Sequence, residues 1–295
     1  MDLSFITIII PTFNDWPRLM LCLNSLNEQT YPAEYFEIIV VNNNPLDILP
    51  AHYHTSTNVV IIDESTPGSY AARNAGLRIA KGEIIGFTDS DCIPDKDWIR
   101  NALLFFQTNK DILRIGGGIQ LFYESNKPNP AELYDTLFAF RQKQYVESMG
   151  FGITANMFAY KSLFSKVGEF NSTLMSGGDF EWGKRANDSG IAIEYVESVM
   201  VKHPARNSYD ELKQKTKRVS GGHYNMVKTR HSTLWVIRTL FRGFKPNITD
   251  LKYIIKSDKI ARTEKVIVFG IRYHLNIISN LEKIKIHFGN KPERL

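Results

Sequence analysis

The chain is poor in cysteine and has no long apolar run. Its 295 residues include two cysteines, Cys22 and Cys92, which are too few for a disulfide framework, and no cysteine–histidine cluster has the spacing of a zinc site. The composition therefore favours a reducing, cytosolic compartment. No apolar stretch approaches the roughly 20 residues of a membrane-spanning helix, and residues 1–5 lack the basic and then apolar layout of a signal peptide.

Two nucleotide-binding signatures are also absent. The glycine run Gly116–Gly118 does not match GxGxxG, and the chain has no GxxxxGK[ST] loop. A dinucleotide site of the first type and a Walker-type NTPase are therefore both disfavoured. Because the glycine run lies inside a strand pattern, it predicts a bulge or a close approach by another backbone segment.

The charge is unevenly distributed along the chain. Residues 201–295 carry 21 Lys and Arg against 7 Asp and Glu, whereas residues 1–200 carry 15 against 24, within a net charge of +5. Such a basic region favours a polyanionic partner. Since no nucleic-acid recognition motif is present, we predict an anionic membrane surface as that partner and no nucleic acid. The expected location is the cytoplasm. If the basic region binds a membrane, the chain attaches peripherally to its inner face.

The C-terminal region has two interpretations. In residues 234–245, apolar side chains stand next to Lys and Arg, which suits a helix lying on an anionic membrane. The same pattern also suits helices that pack on the core and keep a basic face in water.

The hydrophobic pattern predicts an α/β protein. Apolar strand patterns alternate with helical ones over the first half of the chain, which indicates βαβ units and a parallel sheet. After about residue 208 the chain becomes basic and helical, so we predict a catalytic domain over 1–207 and a helical extension over 208–295. The predicted strands are 5–10, 36–41, 58–62, 83–88 and 191–201, and the predicted helices are 18–28, 70–81, 97–106, 210–230 and 251–286.

An acidic triplet, Asp89-Ser90-Asp91, follows the buried-looking strand at 83–88. Carboxyl ends of parallel strands are where such sheets hold ligands. Two carboxylates this close can bind Mg²⁺ or Mn²⁺ and, through the ion, a diphosphate. The alternative is a solvated turn, since Asp and Ser are common turn formers.

Two further features would have to meet the triplet if it binds a metal. Asp179 follows Gly177 and Gly178, and a carboxylate there could accept a proton from an incoming hydroxyl. It could equally cap a helix that begins at Phe180. His203 ends a strand pattern, and its imidazole suits Mn²⁺, or it is an ordinary hydrogen-bonded histidine.

Five segments together resemble the family 2 glycosyltransferases, and they follow the order of that family. The resemblance implies a GT-A fold, in which a Rossmann-like, mostly parallel sheet flanked by helices binds a nucleotide-diphospho-sugar with Mn²⁺ or Mg²⁺. The acidic triplet then matches the DxD motif of the family. The segments are 8–14 (IIIPTFN), 28–32 (EQTYP), 40–44 (VVNNN), 67–76 (PGSYAARNAG) and 81–91 (KGEIIGFTDSD).

The resemblance also implies roles for individual residues. Asp179 matches the catalytic base of the family, or Glu181 takes the proton in its place. Donor contacts are implied for Pro11, Thr12, Phe13, Asp15, Asn42, Asn43, Gly68, Arg73, Asp89, Ser90 and Asp91, and metal contacts for Asp91, His203 and Asp89. Many members carry an Asp pair where this chain has Asn42 and Asn43, and an Asn carbonyl can still accept the uracil N–H. A UDP-sugar is thus the expected donor.

The predicted activity is inverting transfer of a sugar to a hydroxyl acceptor. A metal would offset charge on the leaving diphosphate, and one carboxylate suffices as base. The acceptor is expected to be a glycan or a lipid-linked glycan in surface polysaccharide synthesis. The alternatives are a catalytically silent protein that binds nucleotide-sugar and a membrane-associated scaffold.

Overall fold

The computed structural model describes residues 3–228 and 243–289, together with positions 234, 237, 238 and 241. Of the predicted membrane-binding stretch 234–245, residues 235, 236, 239, 240 and 242 lie outside the described residues. The chain forms two compact units. The first comprises Met1–Gln120, Phe140–Leu174 and Gly178–His203, and the second comprises Leu121–Ala139, Met175–Gly177 and Pro204–Leu295. The predicted domains, 1–207 and 208–295, remain a prediction.

An eight-stranded sheet has the strand order β3-β2-β1-β4-β7-β6-β8-β5. The first four strands in this order pair in parallel, whereas β7 pairs antiparallel with β4 and β6, and β5 pairs antiparallel with β8. The strands are β1 (Ile6–Thr12), β2 (Phe36–Asn42), β3 (Val59–Asp63), β4 (Ile84–Thr88), β5 (Ile93–Pro94), β6 (Arg114–Phe122), β7 (Asn156–Tyr160) and β8 (Glu194–Pro204).

Helices follow or separate most of these strands. They are α1 (Trp16–Asn27), α2 (Ser69–Ile79), α3 (Trp98–Thr108), α4 (Pro130–Phe138), α5 (Gln142–Met149), α6 (Ser162–Val167), α7 (Gly178–Asp188), α8 (Tyr209–Lys228), α9 (Ile248–Lys256) and α10 (Arg262–His287). No helix among the described residues combines the length and the apolar character that crossing a bilayer requires.

Both faces of the central strands are covered. Along β1, Ile8 and Ile10 pack with α1 and α3 in one cluster, while Ile9 packs with α2 and α7 in another. A strand buried on both faces is apolar at every position rather than at alternate ones, and this explains the uninterrupted apolar pattern of residues 5–10.

The strands and helices predicted before residue 110 are confirmed, with ends that differ by no more than two residues. The glycine run lies in β6, where a Cβ on Gly117 would overlap the carbonyl oxygen of Val199, so the predicted close backbone approach is also confirmed.

The predicted basic helix over 251–286 is instead two helices, α9 and α10. Ser257 ends α9, and Ala261 precedes α10, its N–H bonded to the side chain of Glu264.

The second unit is helical. Its apolar cluster includes Leu137 of α4, Leu212 of α8, Ile254 of α9 and Val268 of α10. Asn129 begins α4 with a complete capping box, in which its side chain accepts backbone N–H groups and Glu132 bonds back to the Asn129 N–H, an arrangement that fixes where a helix starts.

Candidate active site

The carboxyl ends of three neighbouring parallel strands form one edge of the sheet in the first unit. β1 ends at Thr12, β2 at Asn42 and β4 at Thr88. β2 and β4 lie on opposite sides of β1, so the strand order reverses here, and ligands of open α/β sheets bind at such a switch point. The acidic triplet directly follows β4 and therefore lies at this edge.

Asp91 and His203 lie side by side. The short strand β5 begins two residues after Asp91, and its Ile93 pairs with Lys202 of β8. This register brings Nε2 of His203 to 3.4 Å from Oδ1 of Asp91. The histidine is buried, with its ring 4.1 Å from that of Phe140. Residues 112 positions apart in sequence thus form one pair, as the metal hypothesis requires.

The donor atoms of this pair suit a divalent cation. A carboxylate oxygen and an imidazole nitrogen are ligands of Mn²⁺, and Mg²⁺ prefers the oxygen. The Sγ atom of Cys92 lies within 4.8 Å of both, but burial raises the pKa of the Cys92 thiol well above its usual range. A protonated thiol is a poor metal ligand, so Asp91 and His203 are the residues that fit the ion.

Asp89 does not belong to the cluster that Asp91, Cys92 and His203 form. Its Oδ1 instead lies 2.5 Å from the NH2 nitrogen of Arg73, a buried side chain of α2. The Nε of Arg73 is buried with no hydrogen-bond partner among the described residues. An unsatisfied buried donor is costly unless a ligand completes it, and this favours a bound anion or hydroxyl beside Arg73.

Asp179 lies in the first turn of α7 rather than at a cap before Phe180, because the helix begins at Gly178. Its Oδ1 accepts a hydrogen bond of 2.9 Å from Oγ1 of Thr154, and its N–H donates to the hydroxyl of Tyr70 at 3.3 Å. Burial raises the pKa of Asp179, against the lowering effects of Arg73 and Thr154, while Asp89 raises it further. A carboxylate with a raised pKa is a better proton acceptor.

Close packing and a buried cation position α7. A Cβ on Gly178 would come within 2.7 Å of the Tyr70 ring, so only glycine permits this approach before Asp179. At the other end, the Arg114 guanidinium donates to Oδ1 of Asn187 at 2.6 Å and to the carbonyl of Ile191 at 2.8 Å. Burial lowers the pKa of Arg114 to about 10, which leaves it charged at neutral pH.

Glu181, the alternative base, has a different environment. Both of its oxygens accept from Arg185, at 2.7 Å and 3.0 Å. Both oxygens are thus occupied by a guanidinium, which an acceptor hydroxyl would have to displace. The geometry therefore favours Asp179 for the proton.

The segment after β1 presents an open surface for a flat ring. The Phe13 ring is 52 % exposed, and Oγ1 of Thr12 is buried without a hydrogen-bond partner in the described structure. Pro11, the residue before last of β1, is half-buried. Asp15 precedes α1, and its carboxylate lies 3.0 Å from Nε of Arg18. An exposed aromatic ring beside an unsatisfied hydroxyl suits a nucleoside.

The side-chain amides of Asn42 and Asn43 form hydrogen bonds with residues of the neighbouring strand and loops. Asn42 donates to the Asp63 side chain at 2.9 Å and accepts from the Asn44 N–H. Asn43 accepts from the N–H of Gly68 at 2.7 Å, and Gly68 has a φ of 119° that favours glycine. One lone pair on each amide oxygen remains for a base.

Two residues at this site lie outside every motif recognised in the sequence. They are Arg18, whose NH1 lies 3.8 Å from Oδ2 of Asp91, and Thr154. Tyr70 lies inside the recognised segment 67–76, but no role was predicted for it. The i, i+3 spacing of Asp15 and Arg18 could have indicated the first. No sequence signal marks Thr154, because it lies in an irregular segment and meets Asp179 only through the fold.

Replacing Thr154 by valine is expected to shift the pH dependence of activity. The hydroxyl lowers the pKa of Asp179, so its removal raises that pKa further, and the acidic limb of the pH–rate profile should move to higher pH. Thr154→Ser retains the donor and should restore the original profile. An unchanged limb in Thr154→Val, measured with saturating donor, would show that this hydroxyl does not act on the titrating group.

Comparisons with known proteins find relatives among the glycosyltransferases. The family model described as glycosyl transferase family 2 matches residues 7–168. Glycosyltransferase AglE of Haloferax volcanii is 34 % identical over 226 residues, which cover 75 % of this chain and 73 % of that protein. The dolichyl N-acetyl-alpha-D-glucosaminyl phosphate 3-beta-D-2,3-diacetamido-2,3-dideoxy-beta-D-glucuronosyltransferase of Methanococcus voltae is 23 % identical over 228 residues, 72 % of this chain and 71 % of that protein.

A solved structure has the same fold. Mannosyltransferase PcManGT from Pyrobaculum calidifontis, in complex with GDP-Man and Mn²⁺, superposes with a TM-score of 0.56 at 14 % identity, covering 99 % of this chain and 76 % of that chain. The predicted α/β fold of the GT-A type is confirmed. Since a family model matches more than half of the sequence and a relative is 34 % identical over three quarters of it, the chain belongs to glycosyl transferase family 2.

Proposed function

We propose that this glycosyltransferase moves a sugar from a nucleotide-diphospho-sugar to a hydroxyl acceptor, with inversion, and that Asp179 is its base. The observation that carries the proposal is the environment of Asp179. This carboxylate is half-buried with a raised pKa, Thr154 fixes one of its oxygens, and Arg73 and Asp89 lie within electrostatic range.

One carboxylate is enough for a single displacement. The acceptor oxygen attacks the anomeric carbon while its proton passes to Asp179, and the bond to the diphosphate breaks on the opposite face of the sugar. A double displacement would need a second carboxylate as nucleophile. The neighbouring carboxylates of Asp89 and Glu181 are instead engaged by Arg73 and Arg185.

Asp91 and His203 are the residues that would hold a divalent metal. The ion would supply Lewis-acid stabilisation of the charge that develops on the leaving diphosphate. The Mn²⁺ bound in the Pyrobaculum calidifontis complex supports this part of the proposal. Arg18, which lies within 4 Å of both Asp15 and Asp91, adds a positive charge beside Asp91.

The donor and acceptor are proposed from less direct observations. Phe13 offers its ring to the base, and an oxygen of Asn42 or Asn43 can accept the N–H of uracil, so a UDP-sugar remains our proposed donor. GDP-Man, bound in the mannosyltransferase complex, is the competing one. The name of the Methanococcus voltae relative describes a dolichyl-linked acceptor, and this favours a lipid-linked glycan for the present chain.

A panel of nucleotide-sugars tests the proposal. A donor at about 100 times its dissociation constant should raise the unfolding temperature by about 5–10 °C in the presence of Mn²⁺. The shift should shrink when the ion is removed with a chelator, and free nucleoside monophosphates should give smaller shifts. If no UDP- or GDP-sugar stabilises the protein with or without Mn²⁺, the donor class is wrong.

A further inference from the structure

Aliphatic side chains are exposed where α9 turns into α10. We call this region, residues 248–267, the α9–α10 corner. Several apolar side chains that are about half exposed or more and occur together usually mark a contact surface. They are Ile248 (67 % exposed), Ile255 (59 %), Val266 (74 %) and Ile267 (47 %).

The core beneath the corner is already complete. Ile254, Ile260 and Val268 are buried in the apolar cluster of the second unit, so the exposed aliphatic residues belong to the other side of the same segments. Nζ of Lys265 donates to the carbonyl of Ile255 at 2.6 Å. This bond joins the start of α10 to the end of α9, and it brings the chain at Ile255 close to the chain next to Val266.

Exposed cations occur in the same segments as these side chains, and two of the three acids of the corner are engaged in hydrogen bonds. Asp250 accepts from Nε of Arg272 at 2.7 Å, and Glu264 accepts from the N–H of Ala261 at 2.7 Å. Asp258 is the one acid of the corner that is both exposed and without such a bond in the described structure. The exposed cations are Lys252, Lys256, Lys259 and Arg262.

We propose that the α9–α10 corner binds the surface of an anionic lipid bilayer. Aliphatic tips can enter the boundary between headgroups and acyl chains, while the cations neutralise lipid phosphates. Nucleic acid fits less well, because stacking on bases needs exposed rings. Tyr253, the only aromatic residue of the corner, is half-buried and donates its hydroxyl to the carbonyl of Leu137. This inference concerns binding alone and stands apart from the proposed transfer reaction.

Sedimentation of the full chain with lipid vesicles tests the proposal. We expect binding to vesicles of equal parts phosphatidylcholine and phosphatidylglycerol and little binding to phosphatidylcholine alone. Raising the salt until the Debye length falls from about 10 Å to about 3 Å should weaken the binding strongly. Equal binding to both vesicles, or none to either, would overturn the proposal.

Paired variants locate the surface. Lys256→Glu with Arg262→Glu should weaken vesicle binding by at least about 25-fold, because each lost cation is worth roughly fivefold. Ile255→Ser with Val266→Ser should weaken it about tenfold. Matched controls in the first unit are Lys110→Glu and Ile79→Ser, both at exposed positions, and they should bind as the parent does. Loss in the controls equal to that in the corner variants contradicts the assignment.

Hydrogen exchange gives a readout that needs no variant. Adding anionic vesicles to the full chain should slow exchange in α9 and in the first turns of α10, and should leave α2 and α3 unchanged. Protection confined to other segments would overturn the proposal. So would displacement of the chain from vesicles by a short oligonucleotide that protects the same amides, since the corner would then be a nucleic-acid site.

Discussion

Asp179→Asn is expected to lower kcat by about a thousandfold, the middle of the range for loss of a general base. Asparagine keeps the shape of the side chain, and its oxygen can still accept from Thr154, as Oδ1 of Asp179 does. It cannot accept the proton of the acceptor hydroxyl. Single-turnover measurement of sugar transfer checks the loss.

Donor binding separates loss of the base from loss of the fold. The dissociation constant of the nucleotide-sugar should change by less than about twofold in Asp179→Asn, because a base acts in the transition state rather than on the bound donor. The matched control is Glu181→Gln in the same helix. It breaks the partly exposed pair with Arg185, at a cost of about 0.5 kcal/mol in stability, and it should keep most of the activity. Full activity in Asp179→Asn with loss in Glu181→Gln would transfer the role to Glu181.

Asp91→Asn and His203→Ala are expected to lower the affinity for Mn²⁺ by about 10- to 100-fold or more, as loss of a ligand or its immediate support does. Each removes one of two donor atoms that lie 3.4 Å apart. In the proposed role of the metal, the ion joins Asp91 and His203 to the diphosphate, so these variants should also bind the donor more weakly than the parent does when Mn²⁺ is present. Titration of Mn²⁺ by electron paramagnetic resonance, with and without nucleotide, measures both effects.

Cys92→Ala is the control for this metal site. Its sulfur lies within 4.8 Å of both donor atoms, but the raised pKa of the buried thiol keeps it protonated. The variant should therefore bind Mn²⁺ as the parent does. If Cys92→Ala weakened Mn²⁺ binding as much as Asp91→Asn, a thiolate would be part of the site and the oxygen–imidazole assignment would be incomplete.

Sequence patterns predicted the first half of the sheet because its strands are local and unambiguous. The apolar run of β1 stops at Pro11, and that of β2 stops at Asn42 to Asn44. Proline and asparagine at such positions indicate that a strand is ending. Parallel strands end at one edge, so the sequence predicted that the triplet after β4 lies at the ligand-binding edge of the sheet.

The second half of the sheet could not be predicted in this way. β7 and β5 pair antiparallel with strands that lie far away in sequence, and no pattern of alternation encodes a long-range register. For the same reason, the pairing of Asp89 with Arg73 could not be anticipated. The sequence supplied the residue types at the site, whereas the contact of Thr154 with Asp179 depends on the folded path of the chain.

The ladder between β5 and β8 is only two residues long, and one of the two is Pro94, which has no N–H to donate. So small a piece of sheet adds little free energy against local opening. Yet it is this ladder that sets the distance between Asp91 and His203. Any ion that bridges the two side chains must also stabilise the ladder, and by thermodynamic reciprocity whatever orders the ladder tightens the grip on the ion. A substitution in β5 that contacts no substrate could thus change the affinity of the protein for the metal ion.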